Sequence, residues 1–223
     1  MLFRDRSDAG RKLAAALQEF RDRNCVILAL PRGGVPVAAE VARSLRAPLD
    51  IVLVRKIGAP GHPELAVGSV VDGDVPIIVR DPELLRLTGT SQREFEEICA
   101  RELAEGERRR KLYLGARAPL PLAGRTAIVI DDGLATGNTM RAALQAARQR
   151  GPAELVMAVP VAPADTIARF RDAADRTICL ATPEPFAAVG QFYADFAQTS
   201  DQDVIALLAR FAPAPPSVEP PQA

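Results

Sequence analysis

The chain has 223 residues, and its 28 basic side chains are matched by 28 acidic ones. No surplus of one sign is available to steer it onto nucleic acid or an anionic membrane, so neither is expected as a partner. Hydrophobic residues make up 48%, enough at this length for one core without metal or disulfide staples. The single histidine, His62, and the absence of tryptophan leave little material for His–metal or Ser-His-Asp chemistry. Cys25, Cys99 and Cys179 lack C-x-x-C spacing and read as reduced, mostly buried thiols. Any catalysis has to rest on carboxylates, cations, backbone amides or a bound metal. The charged N-terminus MLFRDRSDAG does not read as a signal peptide, and no stretch approaches the roughly 18 apolar residues of a membrane span, so a cytoplasmic placement is expected.

In chain order, Leu13, Ala14, Leu17 and Phe20 recur at helical spacing, with Ser7 or Asp8 available as N-cap. CVILAL (25–30) is a strand cut off by Pro31 and Gly33-Gly34; a helical VPVAAEVARSLRA and a second buried strand, DIVLVRK, complete a βαβ unit. Residues 66–80 read as a hairpin turning at Asp72-Gly73-Asp74. Ser91-Gln-Arg-Glu94 is a capping box opening a long charged helix with Phe95, Ile98, Cys99 and Leu103 on one stripe and Gly106 as a weak point. The alternation then resumes: TAIVI (126–130), a helix, ELVMAVPVA, a helix from about Pro163 to Ala174, and RTICLA (176–181). Strands and helices alternating in this way predict an α/β fold with a mainly parallel sheet covered on both faces. The domain is expected over residues 1–211, followed by a disordered Pro-rich tail, 212–223.

The segment AIVIDDGLATGNTM (127–140) carries the strongest chemical signal. A buried strand ends in two adjacent carboxylates, Asp131 and Asp132, which repel each other unless a diol, a cation or water satisfies them. Gly133 and Gly137 let backbone approach a ligand, Thr136, Asn138 and Thr139 offer side-chain hydrogen bonds, and the following helix presents unpaired amides suited to a phosphate. Composition alone serves an ordinary strand-to-helix loop with Asp capping equally well.

The whole string resembles the phosphoribosyl-diphosphate (PRPP) motif of the type I phosphoribosyltransferases. It is neither a Walker A loop nor a Rossmann fingerprint, since no Gly-Lys-Ser/Thr and no G-x-G-x-x-G occurs. The resemblance implies that fold, with Asp131 and Asp132 on the ribose hydroxyls and residues Gly133, Leu134, Ala135, Thr136, Gly137, Asn138 and Thr139 around the 5′-phosphate. It gives Arg32, Gly33 and Gly34, in LPRGGVPVA, the role of pyrophosphate loop. Strands 26–30 and 126–130 as parallel neighbours would bring both loops to one sheet edge. Arg55 and Lys56, ending the next strand, add two cations there, although Ala59-Pro60 stands where the family often has a further lysine.

The resemblance further implies transfer of a 5-phosphoribosyl group to a nitrogen nucleophile such as a nucleobase, a pentosyl transfer of nucleotide metabolism that releases pyrophosphate. Mg²⁺ would be held mainly through PRPP near Asp131 and Asp132, with Asp131, Asp132, Arg32 and Lys56 as the catalytic set. It implies a mobile cover somewhere in about residues 57–125, and a homodimer. A hood for the second substrate falls on Phe186, Phe192, Tyr193 and Asp195, where ordinary packing of a cap is the simpler explanation. Val189-Gly190 with Asp195-Phe196 is loosely similar to a stretch of purine-salvage enzymes, with one extra residue between. The run Arg108-Arg109-Arg110-Lys111 reads as bases closing a helix that acids open, and His62 as a residue of a surface turn. Rival readings are a PRPP-sensing regulator of the same fold, a phosphate-ester enzyme whose carboxylates bind metal directly, and a degenerate homologue without activity.

Overall fold

The computed structural model describes residues 1–72 and 76–211. Most of the expected hairpin tip and the Pro-rich tail lie outside the described residues. Helix α1 spans Arg6–Ala16 and is capped by Asp5, not by Ser7 or Asp8. Asp5 has the extended backbone a cap requires, so its carboxylate accepts the Asp8 amide at 2.7 Å. Leu13, Leu17 and Phe20, the last on a short 3₁₀ turn, are fully buried. Strand β1 (Cys25–Ala29) is buried throughout, and α2 (Gly34–Leu45) packs a face of Val37, Ala38, Val41 and Leu45 onto the sheet.

The expected strand DIVLVRK is two strands in two sheets. β2 (Leu49–Ile51) pairs with β1, the chain breaks at Val52-Leu53, and β3 (Val54–Ala59) opens a separate antiparallel sheet with β4 (His62–Val71) and β5 (Ile77–Arg80). Its hydrophobic period gave no sign of the break, because Val52 and Leu53 are themselves buried. The β4–β5 pairing, with Val71 opposite Ile77, agrees with the expected hairpin, and exposed His62 follows the Pro60-Gly61 turn. One further helix, α3 (Pro82–Thr88), has no counterpart among the expected elements, yet its signals are plain: Asp81 caps it, Pro82 opens it and Gly89 ends it in the left-handed region.

The capping box of Ser91 and Glu94 opens α4 (Gln92–Leu114), which runs unbroken through Gly106. Its Phe95 and Cys99 pack on the small sheet, with Ile98 and Leu103 beside them. The basic run near its end is consumed by pairing. Arg108 and Arg109 bond Glu105, Lys111 bonds Glu107, and Arg110 reaches Asp72 (2.9 Å) and the buried Asp50 (3.5 Å).

After α4 come β6 (Thr126–Ile130), α5 (Asn138–Gln149), β7 (Glu154–Val161), α6 (Ala164–Ala168), β8 (Arg176–Ala181), a 3₁₀ turn (Val189–Phe192) and α7 (Asp201–Ala209). The helix expected from Pro163 to Ala174 is one short helix followed by turns. The main sheet is parallel in the order β2-β1-β6-β7-β8. One face is covered by α1, α2 and α7, the other by α5 and the segment around Phe170. Among the described residues no helix is long and apolar enough to cross a membrane. The three cysteines are free thiols, Cys25 and Cys99 buried and Cys179 half-buried.

Candidate functional site

The strand order places the site. From β1 the chain continues to β2 on one side; from β6 it continues to β7 on the other. The loops leaving β1 and β6 therefore lead away in opposite directions, a topological switch point of the kind at whose carboxyl edge open α/β sheets bind ligands. β1 and β6 are parallel neighbours with Ala29 opposite Ile130, so residues 31–34 and 131–137 emerge side by side. The α-carbon of Gly33 lies against Asp132: a β-carbon there would meet Oδ2 at 2.1 Å. One on Gly34 would meet the Ile130 carbonyl at 2.8 Å and the Asp131 α-carbon at 3.0 Å. Side chains at these two positions would force the loops apart.

Asp131 is half-buried and keeps some surface. Burial, reinforced by the Asp132 charge, pushes its carboxyl well above the usual range; the Asp132 amide, which donates to Asp131 Oδ1 at 2.9 Å, and the Arg6 charge pull the other way. Asp132 is held from three directions. Arg6 Nε donates to its Oδ2 at 2.7 Å, the Tyr193 hydroxyl donates to its backbone carbonyl at 2.6 Å, and Gly33 packs against it. Burial and the neighbouring carboxylates push the Tyr193 phenol up, so it remains a donor.

Beyond the acidic pair, Leu134 is anchored by its amide to the Val161 carbonyl (2.9 Å), and the Ala135 carbonyl accepts from the Thr166 hydroxyl (2.9 Å). Gly137 caps α5 at φ +78°, a conformation that suits glycine, with Phe170 packed where a side chain would go. The first helical amide used inside α5 is that of Arg141, bonded to the Gly137 carbonyl (2.9 Å). The amides of Asn138, Thr139 and Met140 thus point out of the helix start without an intrahelical acceptor.

The predicted cations and hood residues divide. Arg32 sits in the β1 loop and pairs loosely with Asp201 of α7 (3.6 Å), which also accepts the Tyr113 hydroxyl at 2.6 Å. Burial and that hydrogen bond push Tyr113 up to about 12. Arg55 and Lys56 do not act as a pair at the main sheet's edge. Neighbours on a strand point to opposite faces: Arg55 turns to α4 and bonds Glu102 (2.6 Å), whereas Lys56 is exposed and lines a cleft of about 190 Å³ with Asn138, Thr139 and Arg141. The hood aromatics are mostly packing. The Tyr193 ring packs at a tilt on Phe3 (centroids 5.3 Å) and Phe196 (5.0 Å), and Phe192 packs likewise on Phe186 (4.9 Å); both Tyr193 and Phe192 are buried and offer no open face to a base. Exposed Asp195 closes a local turn through the Ala197 amide. Arg6, Tyr113, Tyr193 through its hydroxyl, and Asp201 reach the site from distant segments; no local motif marks them.

The family model of the phosphoribosyl transferase domain matches residues 5–197. The chain belongs to the phosphoribosyl transferase family. It is 47% identical over 209 residues to proteins from two strains of Mycobacterium tuberculosis that carry phosphoribosyl transferase as a provisional name; the match covers 94% of this chain but only 47% of theirs. It is also similar to a Thermus thermophilus protein of solved crystal structure, TT1426, at 43% identity and a TM-score of 0.82, over 96% of this chain and 100% of that one.

Proposed function

We propose that the chain transfers the 5-phosphoribosyl group of PRPP to a nitrogen nucleophile, a nucleobase or related heterocycle, with release of pyrophosphate. One observation carries this reading: the α-carbon of Gly33 touches the Asp132 carboxylate just past the paired ends of β1 and β6, where the chain leads away to opposite sides of the sheet. Loops in contact there can grip the two ends of one small, doubly phosphorylated sugar. The amides of residues 138–140, which have no acceptor inside the helix, suit the 5′-phosphate together with Thr136 and Thr139. Asp131 and Asp132 face the ribose hydroxyls and the positive charge that develops at C1′. Arg32 and Lys56 draw the electron pair of the breaking C1′–O bond onto the leaving pyrophosphate as the new C1′–N bond forms. Arg55 is withdrawn from that set by Glu102. The protein's contribution is positioning and fixed charge.

The donor set suits Mg²⁺ carried by the substrate. Among the described residues no group of three or more His, Cys, Asp or Glu could cage a metal, and one of the two carboxylates at the site is committed to Arg6. Mg²⁺ commonly keeps its waters and binds through substrate phosphates with one or two carboxylates. Asp131 and Asp132 would lie beside it, and it would neutralise diphosphate charge.

A thermal-shift screen tests the proposal. PRPP with Mg²⁺ should stabilise the protein, by about 2.7 kcal/mol at a hundred times its dissociation constant. A nucleobase panel should then give pyrophosphate release with at least one member. The double change Asp131→Asn and Asp132→Asn should abolish the shift. No PRPP shift in the unchanged protein would overturn the reading.

A further inference from the structure

The Arg6–Asp132 contact joins the first turn of α1 to the acidic pair across 126 positions of sequence. Both side chains are largely withdrawn from water, 12% and 14% exposed. Arg6 cannot swing freely. Its Nη1 donates to the Ala197 carbonyl at 2.7 Å, and its guanidinium lies 3.9 Å from the centre of the Phe196 ring. Phe196 in turn rests on Tyr193, whose hydroxyl holds the Asp132 carbonyl. Against the same carboxylate stands the bare α-carbon of Gly33. Asp132 is thus clamped between a fixed cation and a backbone that leaves no room for rotation.

We propose that Arg6 is a positioning residue, which holds the Asp132 carboxylate at the orientation needed to accept ribose hydroxyls and supplies the fixed countercharge that lets two acids stand side by side. The inference rests on the reading of residues 131–139 as a phosphoribosyl site. An ion pair between such enclosed groups orients more than it stabilises, because desolvation offsets much of the attraction. Arginine suits this role because its planar fork serves Asp132 and Ala197 at once while its face stacks on Phe196, a combination an ammonium group cannot reproduce. The effect should be confined to ligands that contain the sugar. Pyrophosphate alone, gripped by the other loop, has no ribose for Asp132 to hold.

Calorimetric titration of the wild type, Arg6→Met and Arg6→Lys tests this with three probes: Mg²⁺-PRPP, ribose 5-phosphate and Mg²⁺-pyrophosphate. Arg6→Met should weaken the two sugar-bearing ligands by about tenfold or more, of the size expected for losing a hydrogen bond to a charged group, and leave pyrophosphate within about twofold. Arg6→Lys should recover part of the loss, since it restores the charge but not the fork. Equal weakening of all three ligands marks Arg6 as a general prop and overturns the proposal, as does unchanged PRPP affinity. Wild type that binds none of the probes overturns the phosphoribosyl reading itself, and the inference with it. Should Arg6→Met fail to fold, Phe196→Leu keeps the ion pair but frees the guanidinium plane. It should weaken the sugar-bearing ligands about threefold with pyrophosphate unchanged, and any other pattern counts against the proposal.

Discussion

Asp131 shows what the adjacency of two carboxylates does at the scale of one residue. Burial and the Asp132 charge raise its affinity for a proton in the folded protein above that in the unfolded chain. Between the ordinary carboxylate range and the raised value the native state binds the extra proton, so stability falls as pH rises through that interval. Asp131→Asn removes this dependence. Urea midpoints measured from pH 4.5 to 8 should show the wild type losing stability relative to the variant as pH increases. A constant difference between the two proteins would show that Asp131 titrates normally. The cost is tolerable at a site where a bound diol and a cation would relieve it.

At the scale of the element, the strand β3 separates two neighbouring cations by nothing more than its pleat. Arg55 is part-buried against Glu102 of α4, and Lys56 is exposed on the cleft beside the start of α5. Arg55→Met should therefore cost stability, about 1 kcal/mol for a part-exposed ion pair, and leave Mg²⁺-PRPP affinity unchanged. Lys56→Met should do the reverse. Urea denaturation and calorimetry on the two variants distinguish the roles, and a fall in affinity for Arg55→Met would return it to the site. The adjacent letters Arg-Lys invited a single assignment, because period-2 alternation decides which residues face apart but not what each face meets. The helix ends show the opposite case: the boxes of Ser91 with Glu94 and of Ser200 with Asp203 are made entirely of local contacts. Asp5 prevailed over Ser7 and Asp8 because a cap depends on backbone angle as well as side chain.

Across the whole molecule, the N-terminal segment and residues 192–195 form one body. Phe3 pairs with Tyr193 as an isolated parallel bridge, and the Ala194 and Asp195 amides donate to the carbonyls of Phe3 and Arg4. The cluster of Phe3, Phe192 and Tyr193 with Val161 sits beside the acidic loop. Truncating this anchor should be felt at the site. Phe3→Ala should destabilise the protein by about 3 kcal/mol, as for other buried phenylalanines, and should also weaken PRPP binding, because Tyr193 then loses the packing that aims its hydroxyl at Asp132. Denaturant midpoints and PRPP titration check the two effects. Loss of stability with unchanged affinity would show that this aromatic cluster and the acidic loop are independent.

Sequence by itself determined the parts whose causes are local. The parallel α/β pattern follows from apolar runs such as CVILA and TAIVI, which can be satisfied only inside a sheet covered on both faces. The acidic pair with its small-residue loop, and the paired glycines after β1, were legible because each is a few consecutive residues with one backbone requirement. Tertiary structure alone decided that Arg6 and Tyr193 converge on Asp132, that Asp201 and Tyr113 gather at Arg32, and that β3 belongs to a second sheet. The side-chain contacts among these join residues far apart in the chain. They are fixed by how layers pack against one another, a relation that no window of neighbouring residues contains.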